Sequence, residues 1–155
     1  MSEPRVLVAG IGNVFMGDDG FGVEVVRRLA GRLPGARVAD FGIRGFDLAM
    51  ALLEPHDLVV LVDAARKGAT PGTLYLMELG EDSGPADFAA HGMDPAQVLR
   101  NARAMGGPPS RVVLVGCEPG DFAEMGRLSP AVEAAVDEAA RMVESLVRRE
   151  LAAHA

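Results

Sequence analysis

Leu58-Val59-Val60-Leu61-Val62-Asp63 decides the architecture. Five aliphatic residues run on without polar alternation, as expected of a central parallel strand covered on both faces, and the run ends in an acid. Covering both faces of a sheet takes helices on either side, so the flanking sequence should alternate between the two periods. Upstream, an apolar run at 6–9 closes on Gly10-Ile11-Gly12 and reads as a buried strand entering a loop. From Phe21 the spacing changes: Phe21, Val25, Leu29 and Leu33 recur every fourth residue, with Glu24, Arg27, Arg28 and Arg32 on other faces. That predicts an amphipathic helix ended by Pro34-Gly35. A short strand at 37–41 and a helix at 45–53, stopped near Pro55, complete the first half.

Downstream, a turn at Pro71-Gly72 leads into 73–79, whose alternation suits an edge strand and leaves an antiparallel direction open. Asp94-Pro95-Ala96-Gln97 opens a helix: Asp as N-cap, Pro at the first helical position, Gln three residues after the cap, and Met93 with Val98 as a hydrophobic staple. A buried strand follows at 112–115. Ser129-Pro130 then opens a long helix to about 151, with Asp137–Arg141 and Glu144–Arg148 spaced for i,i+4 ion pairs. The prediction is one α/β domain spanning residues 1–155, three layers deep, around a mostly parallel sheet. In a flavodoxin-like strand order the first and third strands are neighbours, and function gathers where their exit loops meet.

Composition narrows the function. The chain has 155 residues, 49% apolar and 24% charged, the balance of a globular domain. Aromatic residues are 5% with no Trp, so the core must be aliphatic. Fifteen basic residues against 22 acidic ones give a net charge of −7, the wrong sign for a general nucleic-acid binder. The single cysteine, Cys117, permits no internal disulfide, and no apolar run approaches the roughly 20 residues that span a bilayer. Met1-Ser2-Glu3-Pro4-Arg5 carries an acid and does not read as a signal peptide. The expectation is a cytoplasmic protein without nucleic-acid or membrane partners.

The first exit loop runs Gly10-Ile11-Gly12-Asn13-Val14-Phe15-Met16-Gly17-Asp18-Asp19-Gly20-Phe21-Gly22. A dinucleotide fingerprint would need a third glycine where Phe15 stands, and a P-loop would need Lys-Ser/Thr where Asp18-Asp19 stand. Two carboxylates at a helix start also repel phosphate, so nucleotide binding is rejected. Helix capping accounts for one of these acids but not for the pair. Asp63, ending the apolar strand, is either a turn residue or a site residue. His91 precedes the Asp94 helix; His56 sits at the amino end of the third strand and His154 in the tail, which leaves His91 as the imidazole available to a site. Asp19, Asp63 and His91 together form a mixed oxygen and nitrogen ligand set suited to nickel or zinc with positions left open. Crowded carboxylates at one edge raise each other's pKa, and a cation relieves that. Nucleophilic catalysis finds no Gly-x-Ser-x-Gly elbow, and Cys117 reads first as a small buried hydrophobe.

The stretch from Gly10-Ile11-Gly12-Asn13 through Gly17-Asp18-Asp19-Gly20-Phe21-Gly22 resembles the opening motif of the hydrogenase maturation endopeptidases. Further matches follow in order: Asp40-Phe41-Gly42-Ile43-Arg44-Gly45, Leu61-Val62-Asp63-Ala64, Pro71-Gly72-Thr73, His91-Gly92 and Val115-Gly116. The resemblance implies an α/β/α sandwich around a five-stranded sheet, with Asp19, Asp63 and His91 as metal contacts and the two aspartates catalytic. It also implies a monomer acting on the large-subunit precursor of a nickel-iron hydrogenase. Such an enzyme recognises nickel carried by that substrate and removes a C-terminal extension. Other divalent metals fit the same ligands, and no tightly held metal of the protein's own is implied. Two departures stand out: Asp19 replaces a commoner glutamate, and the Asp40–Gly45 stretch replaces an Asp-Gly-Gly-Thr pattern. The second departure bears on the role of Asp40; Asp40 and Arg44 are candidate substrate contacts, with a surface arginine as the plainer reading of Arg44.

Two other classes compete. A receiver domain also carries acids after its first strand, but it needs a lysine after its last, where this chain has Cys117-Glu118-Pro119. A non-catalytic nickel-binding assembly chaperone would use the same three ligands.

Overall fold

The computed structural model describes residues 5–80, 93–108, 110–120 and 126–154. Among the described residues five strands and four α-helices follow one another, alternating except where β4 succeeds β3: β1 (Val6–Ile11), α1 (Phe21–Leu29), β2 (Ala36–Gly42), α2 (Gly45–Leu52), β3 (Leu58–Ala64), β4 (Leu74–Leu79), α3 (Pro95–Ala104), β5 (Arg111–Cys117) and α4 (Pro130–Ala153). A 3₁₀ turn, Gly17–Gly20, leads into α1. The strand order is β2-β1-β3-β5-β4. Four strands are parallel, and β4 alone runs antiparallel, beside β5. This is the expected three-layer α/β/α sandwich, with its switch point between β1 and β3.

The pleat divides the core in two. Leu58, Val60 and Val62 of β3 join α1 and α4 in one cluster, while Val59 and Leu61 join α2 and α3 in the other. All five side chains are fully buried, which is why the sequence shows no alternation there. Asp63 stands two residues beyond Leu61, so the same pleat turns it toward the α2/α3 side of the sheet. β4 covers only the margin of the sheet, and its mixed burial explains its alternating sequence.

Three local expectations are corrected. α1 ends at Leu29 rather than near residue 33: Ala30 leaves the helical region, Gly31 adopts φ +76°, and a turn carries Leu33 back into the α1/α4 cluster. Asp94 caps α3 by accepting the Ala96 N–H, but Gln97 bonds Asn101 and Arg100 along the helix instead of closing a capping box. Glu144–Arg148 pairs as expected on α4, whereas Asp137 turns across to Arg28 of α1 and Arg141 pairs with Glu138. Arg28 also holds Glu24 and Glu133, so one guanidinium ties the outer helices together. Among the described residues no helix is long and apolar enough to cross a membrane.

Candidate functional site

β1 and β3 leave the sheet side by side, with Gly10 opposite Val62. Beyond that pairing, α1 must start almost on top of the strands to bring its first turn back. Gly22 permits this: a β-carbon there would lie 2.0 Å from the Val62 carbonyl oxygen and 2.5 Å from that of Ile11. Gly12, at φ +136°, makes the second close approach. A β-carbon on it would fall 1.8 Å from the Asp19 carbonyl oxygen and 3.7 Å from Asp63 Oδ1. The glycines of this loop therefore serve backbone approach rather than phosphate binding, and they bring the 3₁₀ turn against the end of β3.

Both acids are completely buried. Asp19 Oδ2 accepts the Asn13 N–H at 2.9 Å. Asp63 Oδ1 accepts the Ala64 N–H at 2.8 Å, while its Oδ2 is buried and has no hydrogen-bond partner among the described residues. Burial pushes the Asp63 carboxyl well above the usual carboxylate range, and the charges of Asp19 and Asp94 push the same way against the Ala64 N–H. A carboxylate kept dry, beside a second acid, with one oxygen unsatisfied, has the donor chemistry that a divalent cation would complete.

His91, the third expected ligand, lies outside the described residues. The helix it precedes is seen from Asp94, whose charge is felt by Asp63. Among the described residues no group of three His, Cys, Asp or Glu side chains could hold a metal ion. His56 precedes β3 at the opposite edge, where burial lowers its pKa, and His154 bonds Glu150 in α4.

Asp40 and Arg44 flank the site at the end of β2, where the Gly12 N–H donates to the Gly42 carbonyl. Arg44 braces its own turn, donating to the Asp40 carbonyl oxygen and to Asp47. Cys117 is a buried member of the α1/α4 cluster. Burial, with Asp18 and Glu118 adding to it, pushes its thiol up to about 12, which leaves no nucleophilic thiolate at neutral pH.

Neither Asp18 nor Asp19 caps α1: its N-cap is Gly20, and no side-chain bond caps it. Asp18 instead reaches across the molecule. Its Oδ1 accepts the Ser129 N–H at 2.6 Å, and its Oδ2 accepts the Gly120 N–H at 2.7 Å and the Ser129 hydroxyl at 2.8 Å. Glu118, which the sequence reading passed over as a site residue, is also buried. It accepts the Lys67 and Ala69 N–H groups and the Tyr75 hydroxyl, fixing the loop that leaves β3 after Asp63. Burial alone would raise the Glu118 carboxyl; the Tyr75 hydroxyl and the two amides outweigh it and hold the carboxyl below its ordinary value. An acid directly after a buried strand was the one available signal for it.

Fold and site together define an open α/β sheet protein with paired buried carboxylates at its switch point. Residues 23–146 match the family model described as hydrogenase maturation protease. Hydrogenase expression/formation protein HupD of Rhodobacter capsulatus is 41% identical over 142 residues, covering 86% of this chain and 66% of the relative. The hydrogenase maturating endopeptidase HybD of Escherichia coli superposes with a TM-score of 0.78 at 28% identity, over 94% of this chain and 93% of that one. The hydrogenase 2 maturation peptidase of a Thaumarchaeota archaeon gives 0.72 at 32% identity, over 92% and 97%. This chain belongs to the hydrogenase maturation protease family, a family of peptidases.

Proposed function

We propose that this chain is an endopeptidase that removes the C-terminal extension of a nickel-iron hydrogenase large-subunit precursor after nickel insertion, recognising the nickel that the precursor carries. In this reading it acts as a monomer in the cytoplasm. Asp19, Asp63 and His91 complete the coordination of an ion already held by the substrate's cysteine thiolates. Asp40 and Arg44, at the end of β2, meet the substrate peptide. The observation that carries the reading is the dry pair Asp19 and Asp63 at the switch point, with Asp63 Oδ2 lacking a hydrogen bond among the described residues.

The metal, arriving with the substrate, supplies electrostatic polarisation of the peptide carbonyl or of the attacking water. The chain's own groups do the rest. Burial of Asp19 and Asp63 excludes competing water and strengthens every charge interaction at the edge. A carboxylate oxygen not engaged with the ion is placed to take the proton of the attacking water.

The test is the intact mass of the precursor after incubation with the purified chain, with and without nickel loading. A C-terminal peptide should be lost from the nickel-loaded precursor alone. Equal cleavage of both forms removes nickel recognition from the account. An unchanged mass in both makes the protein a metal carrier, and the proposal fails.

A further inference from the structure

Asp18 is one of two buried acids, with Glu118, that the proposed chemistry leaves unused, and among the described residues its contacts reach further along the chain than those of Glu118. It shares a single 3₁₀ turn, Gly17–Gly20, with Asp19, yet the two carboxylates bond in different directions. Asp19 accepts from Asn13 in its own loop, on the Asp63 side. Asp18 accepts from Gly120, past the end of β5, and twice from Ser129, the N-cap of α4, spanning 102 and 111 residues of sequence.

Ser129 makes no side-chain cap of its own on α4. The Asp18 carboxylate instead holds the N-cap residue itself, accepting its N–H and its hydroxyl from another part of the chain, at the positive end of the longest helix among the described residues. Charge-assisted bonds from two segments to both oxygens of one carboxylate fix its orientation. A four-residue turn held in this way cannot rotate without carrying Asp19 with it.

We infer that Asp18 is a positioning residue for the peptidase site: by clamping its turn to the β5 exit and to the start of α4, it sets where the Asp19 carboxylate stands relative to Asp63. The inference rests on the proposed role of Asp19. A latch that only stabilised the fold would change the melting temperature and leave the folded enzyme's turnover alone. A positioning residue changes turnover in protein that is fully folded, because small displacements at a reacting centre are costly.

The experiment compares wild type, Asp18→Asn, Ser129→Ala and Asp19→Ala on nickel-loaded precursor, well below each variant's melting temperature. Asp18→Asn keeps the shape but turns an amide toward donors that need an acceptor. Its kcat should fall by about tenfold or more with KM little changed. Ser129→Ala, which removes one bond of three, should give a smaller loss in the same direction and serves if Asp18→Asn fails to fold. The Asn13 amide resonance reports the Asp19 carboxylate directly and should shift in both. Wild-type kcat in folded Asp18→Asn, or in Ser129→Ala if the first does not fold, with an unmoved Asn13 resonance, overturns the inference. If Asp19→Ala also cleaves normally, the fault lies in the proposed site rather than in the clamp.

Discussion

At the residue scale, the behaviour of Asp63 follows from its surroundings. Its folded-state pKa is raised, first by burial and then by Asp19 and Asp94. The metal-free folded chain therefore holds this proton more tightly than the unfolded chain does. Stability should fall as pH rises from about 4 toward the folded value, because the unfolded state releases the proton first. Asp63→Asn removes the charge while keeping the shape. At pH 7 the metal-free variant should melt a few degrees above wild type, the change that about 1 kcal/mol produces in a domain of this size. Its melting temperature should also depend less on pH in the acid range. A variant less stable than wild type at pH 7, measured by thermal unfolding without metal, would contradict this account of the site's electrostatics. The cost carried by Asp63 is one that proteins tolerate where function needs it.

At the scale of the element, β3 carries both the core and the site. Leu61 is fully buried in the α2/α3 cluster, two residues before Asp63. Leu61→Ala should cost about 2–5 kcal/mol, as leucine-to-alanine changes in packed cores do, and denaturant unfolding reads it directly. A loss below 1 kcal/mol would mean that the strand is not the packed centre described here. This part of the fold was legible because a strand buried on both faces must be written without polar residues. β4 was legible for the opposite reason: one protected face and one wetter face leave an alternating pattern. The end of α1 was not legible, since spacing alone cannot distinguish a helix continuing to Leu33 from a glycine turn that delivers Leu33 to the same cluster. The partner of Asp137 was hidden for a related reason: Arg28 lies 109 residues away, on another helix. Local spacing registers neighbours along one helix and nothing of what packs against it.

The whole molecule brings together what the sequence holds apart. Asp19 and Asp63 could be singled out as candidates because they stand where parallel strands end, and carboxylates are costly to bury there without a purpose. Of the adjacent pair, Asp19 was grouped with Asp63 from the sequence; what turns Asp18 away could not be read, because Gly120 and Ser129, which hold it from the other side, lie 102 and 111 residues along the chain. Glu118 was missed on the same grounds, its partners Lys67, Ala69 and Tyr75 being assembled only by the β4–β5 pairing and the loop before it. In the proposed function Asp19 and Asp63 are the pair that cuts. Its most direct test is single-turnover cleavage of nickel-loaded precursor by Asp19→Ala and by Asp63→Ala, each first shown to be folded by circular dichroism. Both should leave the precursor at full mass, with rates at least about 100-fold below wild type. Processing at near wild-type rate by either folded variant would contradict the account.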